Sequence, residues 1–518
     1  MNNAFGIVDW IVVIGYMLVV LLIGAVVSRK QTDTRYFFLA GRSMPAWAVS
    51  LSVLATALSA ATFIGVPQMA FEGNLTYLIT NIGSVIAVFI IAFLFVPPIY
   101  REGTVTIYGY LGKRYGAVAR GAAGVMFLFG RLLSSGARLF MAGIGFALIL
   151  YGETNTKELV LAVILLGIIG TTYTIFGGIR AVIWTDVLQI TVMVIASLCA
   201  VVLLLRAIPV PFDQIVTALQ DSDGVNKLHL VDTELSIGKA YTLWSGIFAM
   251  IVVGVSTHGV DQDMAQRVMT ARSPWQGGLA LITSIFIGIP VVFIFMIIGL
   301  LLFVFYQRPD LMGSAMPQDI IEDSRRVFPQ FVLYHMPVGL RGLTMAGLIA
   351  AAMSTFDSAI NAMASCLVAD VYAPWRRWRS GVVAKDFEES MPDLAASRLA
   401  VGIMGFFLTG FAIFAIYLQE SGGDQLINFA LGVMAFALAP LLGVFCAALF
   451  TNRGNALSVY AALATGVVMV LLLQPYMLPK WTGIAVAWPW WWVIVSPLCF
   501  IICILGASRS DSSEGCHS

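Results

Sequence analysis

Three stretches of this chain set hydroxyls and carboxylates inside otherwise apolar sequence, where a polar side chain is expensive unless it finds a partner. From Ala350 the chain reads Ala-Ala-Ala-Met-Ser-Thr-Phe-Asp-Ser, followed by Asn361 and Ser365. Ser354, Asp357 and Ser358 stand at i, i+3 and i+4, so a carboxylate and two hydroxyls share one helical face. That set makes a cage for a cation; the alternative is a protonated or hydrogen-bonded aspartate holding helices together. A second stretch, Ala55 to Thr62, carries Thr56, Ser59 and Thr62, with Ser52 just before it and Gly65 and Pro67 just after. Proline removes a backbone bond and small residues permit unwinding. The freed carbonyls can then coordinate a hard cation such as sodium, unless the hydroxyls merely bond back to the i−4 carbonyl or pack at a small-residue interface. The third stretch runs from Gly177 to Gln189. Its glycines end one apolar run, Arg180 marks a membrane face, and Asp186 follows about two turns into the next helix. At that depth Asp186 is either a buried ligand or an interfacial anchor beside Trp184.

Other polar residues carry weaker signals. Arg131 and Arg138 stand seven apart on one helical face and are the arginines read as clearly mid-membrane. They suit a solute carboxylate, since guanidinium offers it a forked match, or they snorkel or pair with a helix end. His258, near Asp261, reads as structural, and Trp488 to Trp492 reads as an interfacial belt at the outer end of the last helix. No phosphate loop and no Ser/His/Asp set is present, so an enzyme is not expected.

These residues must be positioned by helices that cross a bilayer. A span takes about 20 apolar residues. Thirteen runs qualify, near 7–28, 45–71, 77–99, 121–150, 158–177, 181–205, 240–259, 276–305, 338–370, 398–418, 425–450, 456–474 and 486–507. The expected fold is an all-α membrane protein of about 13 transmembrane helices. An odd count fits one leading helix, two five-helix halves and two trailing helices, and halves of five must be inverted relative to each other. The segments are then 1–44, 45–206, 207–239 as an extracytoplasmic loop, 240–450, and 451–518.

Composition agrees. The chain of 518 residues is 59% hydrophobic and 11% charged, against about 25% charged in soluble domains. Its 29 basic and 28 acidic residues leave no footprint for nucleic acid. Cys199, Cys366, Cys446, Cys499, Cys503 and Cys516 include no C-x-x-C pair, so neither a disulfide framework nor a zinc site is expected. The first run carries Asp9 rather than a basic leader and reads as a retained span. Loops after odd-numbered runs hold Arg29, Lys30, Arg35, Arg42, Lys113, Arg114, Arg376, Arg377 and Arg379. Alternate loops hold Asp213, Asp221, Asp223, Asp232 and Glu234. The positive-inside rule then sets the N-terminus outside and the C-terminus in the cytoplasm.

The stretch Gly177-Gly178-Ile179-Arg180-Ala181-Val182-Ile183-Trp184-Thr185-Asp186-Val187-Leu188-Gln189 resembles the G-G-x-x-A-V-x-x-T-D-x-x-Q signature of the sodium/solute symporter family. Ser354 to Asn361 is similar to the family's eighth core helix, and Asp261 to Arg267 resembles its D-Q-x-x-x-Q-R motif. The family includes sodium-coupled carriers of sugars, proline, pantothenate, iodide, monocarboxylates and sialic acid, and the bacterial sialic acid symporters match best in pattern. The resemblance covers essentially the whole chain and implies a leucine-transporter-like fold working by alternating access in the cell (inner) membrane, functional as a monomer. It implies a main sodium site made of the carbonyls of Ala55, Leu58 and Ala351 and the hydroxyls of Ser354 and Thr355. It further implies a possible second sodium site at Asp186, Ser354, Asp357 and Ser358, although the sialic acid carriers have serine where Asp357 stands. That aspartate would strengthen the second site or titrate and couple protons.

For the solute, the resemblance points to Ser59, Thr62 and Asn81, the last replacing a glutamine. Ser135 competes with Arg131 and Arg138 for the position of the carriers' substrate arginine. The expected function is sodium-coupled import of a small organic solute, one that bears a carboxylate, such as sialic acid. The alternatives are a sugar or amino-acid symporter, a transporter-like sensor, which the short tail after Gly506 argues against, or a channel, for which no pore filter is visible.

Overall fold

The computed structural model describes residues 5–28, 33–221, 226–319, 321, 323–380, 393–419, 426–474 and 477–507. Arg29, Lys30, Asp223 and Cys516 lie outside the described residues. The principal helices are α1 (Ile7–Ser28), α2 (Ala46–Ala57), α3 (Ala60–Glu72), α4 (Thr80–Ile90), α5 (Ala117–Tyr151), α6 (Thr156–Ala207), α7 (Met250–Gly259) and α8 (Gln262–Met269). They continue as α9 (Pro274–Gln307), α10 (Leu340–Cys366), α11 (Ala373–Ser380), α12 (Leu394–Gln419), α13 (Leu426–Phe450), α14 (Ala456–Leu472) and α15 (Trp488–Ile504). No strand occurs among the described residues beyond one isolated bridge between Met44 and Ala271. By length and composition, eight helical stretches can cross a bilayer, nine with α2 and α3 taken as one bent span, and three shorter apolar helices accompany them. The chain is thus an all-helical, multi-pass membrane protein.

The helices break where the sequence weakens their ladders. Between α2 and α3 the axis turns by 58°. Leu58 and Ser59 leave the helical region there, and the Ser59 side chain starts α3 by accepting from the Ala61 amide at 3.2 Å. The second break lies between α7 and α8, where the Asp261 carboxylate caps α8 by accepting from the Asp263 amide at 3.0 Å. The runs at 158–177 and 181–205 are one helix kinked at Gly178, whose φ of 57° an L side chain resists. Close approach requires glycine at 299, where a Cβ would stand 2.2 Å from the Pro67 carbonyl, so α9 lies directly on α3.

α10 is the axle of the molecule. It packs on α1, α2, α5, α6 and α12, and its small residues Ala350, Ala351 and Ala352 let neighbouring backbones come near. Its first turn is held by Asp9 of α1, whose carboxylate accepts from the amides of Gly339 at 2.7 Å and Gly342 at 2.9 Å. A carboxylate there satisfies orphan donors and complements the helix dipole, which explains an acid in the leading span. One expectation changes: Trp488, Trp491 and Trp492 are buried rather than forming an outward belt. The Asp261–Arg267 motif supplies the cap and first turns of α8, and every residue of it is buried.

Candidate cation and solute sites

The break after Ala57 releases the last carbonyls of α2 from their ladder. Leu58 still donates to Leu54, and the Ala55 carbonyl accepts from Ser354 Oγ of α10 at 2.9 Å. Ser354 Oγ and Thr355 Oγ1 also donate to the Ala351 carbonyl, at 3.3 and 3.2 Å. Ala55, Leu58, Ala351 and Ser354 border a narrow gap closed on its far side by Gln189, Ile190 and Met193 of α6. The donors are all oxygen, and among the described residues no cluster of His, Cys, Asp and Glu forms a competing metal site. Such a set suits a small hard cation.

One turn along α10, a fully buried guanidinium organises the remaining acids. Arg267 of α8 donates from Nε to Ser52 Oγ at 2.9 Å and from Nη1 to the Asp263 carboxylate at 2.6 Å. Its Nη2 reaches Asp186 at 3.3 Å and also contacts Ser358 Oγ. Ser52 donates to Asp186 as well, while Ser358 donates to the Ser354 carbonyl. Thr56 joins the group, 3.3 Å from Ser358 Oγ. Asp357 points elsewhere: its Oδ2 accepts from the Tyr173 hydroxyl of α6 at 2.5 Å and its Oδ1 from Ser358 Oγ at 3.2 Å. No cationic side chain of the described residues reaches Asp357 within salt-bridge distance. Asp186 is therefore a buried member of this network and not an interfacial anchor.

Beside this network lies a cavity of about 180 Å³ between α2, α4, α5, α7 and α13. Thr56, Tyr77, Thr80, Ser84, Arg131, Arg138, Thr257, His258 and Asp261 supply its polar lining, with Met434 and Trp488 among the apolar residues. Arg131 is compensated, since Nη1 reaches Asp261 at 2.8 Å and Nη2 contacts Asp263. Arg138 differs: its hydrogen-bond partner is the thioether of Met434, at 2.9 Å. Of the six solute residues expected from sequence, Arg131 and Arg138 line this cavity, whereas Ser59, Thr62, Asn81 and Ser135 do not. Ser59 is occupied as a helix cap and Asn81 donates to the Leu78 carbonyl at 3.0 Å. Sequence reading took Arg131 and Arg138 as the mid-membrane arginines; Arg267 joins them, fully buried.

The profile of the Sodium:solute symporter family matches residues 37–467. The chain belongs to the sodium:solute symporter family. It is 26% identical over 469 residues to the sodium/sialic acid symporter SiaT of Proteus mirabilis, covering 90% of this chain and 89% of the relative. It is 30% identical over 453 residues to the human sodium/iodide cotransporter, covering 85% of this chain and 65% of that protein. Among solved structures, a substrate-bound, outward-open sodium-coupled sialic acid symporter superposes with a TM-score of 0.80 at 23% identity, covering 97% of this chain and 98% of the other, a likeness of fold.

As a sodium:solute symporter the protein is a sodium-coupled secondary transporter of an organic solute and not an enzyme, with sodium and solute as its partners. The oxygen donors gathered where α2 breaks fit such an ion. The Arg267 network and the cavity share Thr56, and Arg131 and Asp261 of the cavity lining join the network through the contact of Arg131 with Asp263. Sequence reasoning did not single out Arg267, Tyr173, Tyr77, Thr80 and Ser84. Arg267 had a signal, because it closes a recognised motif; the other four are common residue types whose facing only the packing reveals.

Proposed function

We propose that this chain imports a carboxylate-bearing organic solute with sodium across the cell (inner) membrane by alternating access, working as a monomer. The observation that carries it is the broken helix α2/α3, whose freed Ala55 carbonyl meets Ser354 of α10 at 2.9 Å. Sodium is bound by the carbonyls of Ala55, Leu58 and Ala351 and the hydroxyls of Ser354 and Thr355. The solute takes the neighbouring cavity, with its carboxylate on Arg138, whose charge no acid of its own pair cancels. The solutes named for SiaT and for the iodide cotransporter are both anions, which supports an acidic cargo here.

A second cation site at Asp186, Ser354, Asp357 and Ser358 belongs to the same proposal. Arg131 and Arg267 pair with Asp186, Asp261 and Asp263, while Asp357 has no cationic side chain within salt-bridge distance among the described residues, so a bound cation offsets the excess of buried carboxylates. Filling the site requires Arg267 to release Ser358 and lean on Asp263, which it already holds at 2.6 Å.

We also propose thirteen spans arranged as a leading helix, two inverted five-helix halves (45–206 and 240–450) and two trailing helices. The break of α2/α3 falls within the second span and that of α7/α8 directly after the seventh, five spans on, which supports related positions in two repeats. Lys113, Arg114, Arg376, Arg377 and Arg379 support a cytoplasmic C-terminus. Uptake into proteoliposomes at clamped membrane potential tests the function. Uptake of an organic acid should collapse when choline replaces sodium; sodium-independent uptake, or stabilisation by neutral sugars and not by acids, refutes the reading.

A further inference from the structure

Away from the central network the molecule carries a second, larger recess of about 890 Å³. It opens between the start of α5, the segment from Asp370 to Trp378, and α14. Val118, Val125 and Phe129 of α5 and Leu463 and Val467 of α14 wall it, and the small Gly121 and Ala464 add little bulk. Val118, Val125, Phe129 and Trp378 are exposed. The acid on its wall, Asp370, is turned to Arg120 at 2.5 Å and accepts from Thr106 at 2.7 Å, so it is already compensated. In a bilayer, an apolar recess of this kind lies against acyl chains, which are as apolar as its lining.

Its dimensions and its charge say which. From Ala117 to Phe129 the lining climbs twelve residues of helix, about 18 Å at 1.5 Å per residue. That is close to the depth of one leaflet, half of about 30 Å of hydrocarbon. Pro374 and Trp378 of α11 line the recess, and the same two-turn helix bears the exposed Arg376 and Arg379, the latter 5.6 Å over the Trp375 ring. Lys113 and Arg114 immediately precede α5 at the same end.

We propose that this recess binds an anionic phospholipid of the leaflet at the basic end, one acyl chain lying along α5 and α14 and the phosphate meeting Arg376 and Arg379. A second copy of this chain fits less well, because it would bring its own arginines to the same end. The segment from Leu367 to Ser380 continues α10, the helix of Ser354 and Thr355, so the lipid bears on the element that holds the cation donors.

The test is native mass spectrometry of the full-length protein incubated with phosphatidylglycerol or phosphatidylcholine. Wild type should retain the anionic lipid in preference by roughly 10- to 30-fold, from about 1 kcal/mol for each of two basic residues near the surface. R376Q/R379Q should retain both lipids equally, and Ala464→Trp, which fills the recess, should lose one bound lipid of either kind. Sodium-dependent thermal stabilisation reports that each variant remains folded. Equal retention by wild type, unchanged lipid number in Ala464→Trp, or a two-chain mass replacing the lipid adduct would overturn the proposal; should Ala464→Trp not fold, Val467→Trp serves as the second filling variant.

Discussion

Removing the Ser354 hydroxyl deletes one oxygen from the proposed sodium set and leaves the rest intact. In the sodium-free protein the loss is the single hydroxyl proton that Ser354 gives chiefly to the Ala55 carbonyl at 2.9 Å, with the Ala351 carbonyl at 3.3 Å as the alternative acceptor, so Ser354→Ala should fold. A bond to a charged group contributes about 1.5–3 kcal/mol, which corresponds to roughly a 10- to 100-fold weaker sodium affinity. Two measurements read it independently. The sodium concentration for half-maximal uptake should rise by that factor in proteoliposomes at fixed potential. Sodium should also protect less against heat: at a hundred times the wild-type dissociation constant the stabilisation is about 2.7 kcal/mol, and a tenfold loss of affinity cuts it to about 1.4 kcal/mol. Thr355→Ala should behave alike and Thr355→Ser should restore affinity, since only the hydroxyl is asked for. If both alanine variants keep half-activation within about twofold of wild type while folded, the hydroxyls serve helix packing and the sodium site lies elsewhere.

Arg138→Gln should raise the KM for an acidic solute by tenfold or more, roughly the loss of a charge-assisted pair, and leave folding intact. Arg131→Gln should instead cost about 3–5 kcal/mol by stranding Asp261, since Asp263 keeps its pair with Arg267, seen as poor yield of folded protein; the reverse pattern would exchange their roles. Asp357→Ala should lower the steepness of sodium activation and Asp357→Ser should largely preserve it, so an unchanged Hill slope in Asp357→Ala would make the aspartate structural. In the loop between α6 and α7, Lys227 reaches the end of α3, donating to the Phe71 carbonyl at 2.7 Å and the Glu72 carbonyl at 3.2 Å, and burial lowers its ammonium from 10.5 to about 8. The folded protein then binds this proton less tightly than the unfolded chain, so the lysine's contribution to stability rises with pH from about 8 to 10.5. Lys227→Met should abolish that alkaline rise in thermal stability relative to wild type; a rise of equal size in the variant would show that another group produces it.

By itself the sequence determined what is local. Apolar runs marked where helices cross, the hydroxyl-rich stretch from Ala55 to Thr62 pointed to local unwinding, and the i, i+3, i+4 spacing put Ser354, Asp357 and Ser358 on one face; the break itself falls at Leu58 and Ser59, with Gly65 and Pro67 inside α3. These are readable because desolvating a polar group is costly wherever the helix packs, so its presence in a span is already information. The tertiary structure decided who partners whom. Arg267 meets Ser52, Asp186 and Ser358 across 215, 81 and 91 residues, and Tyr173 meets Asp357 across 184. It also turned Arg138 into the cavity, occupied Ser59 as a cap, and buried the Asp261–Arg267 motif as α8. Helix rotation and tilt depend on packing against neighbours rather than on the helix's own composition. The residues able to bind an ion are therefore written along the chain, while the pairings that compensate Arg131 and Arg267 with carboxylates and leave Arg138 on a thioether at the cavity wall arise when the helices assemble.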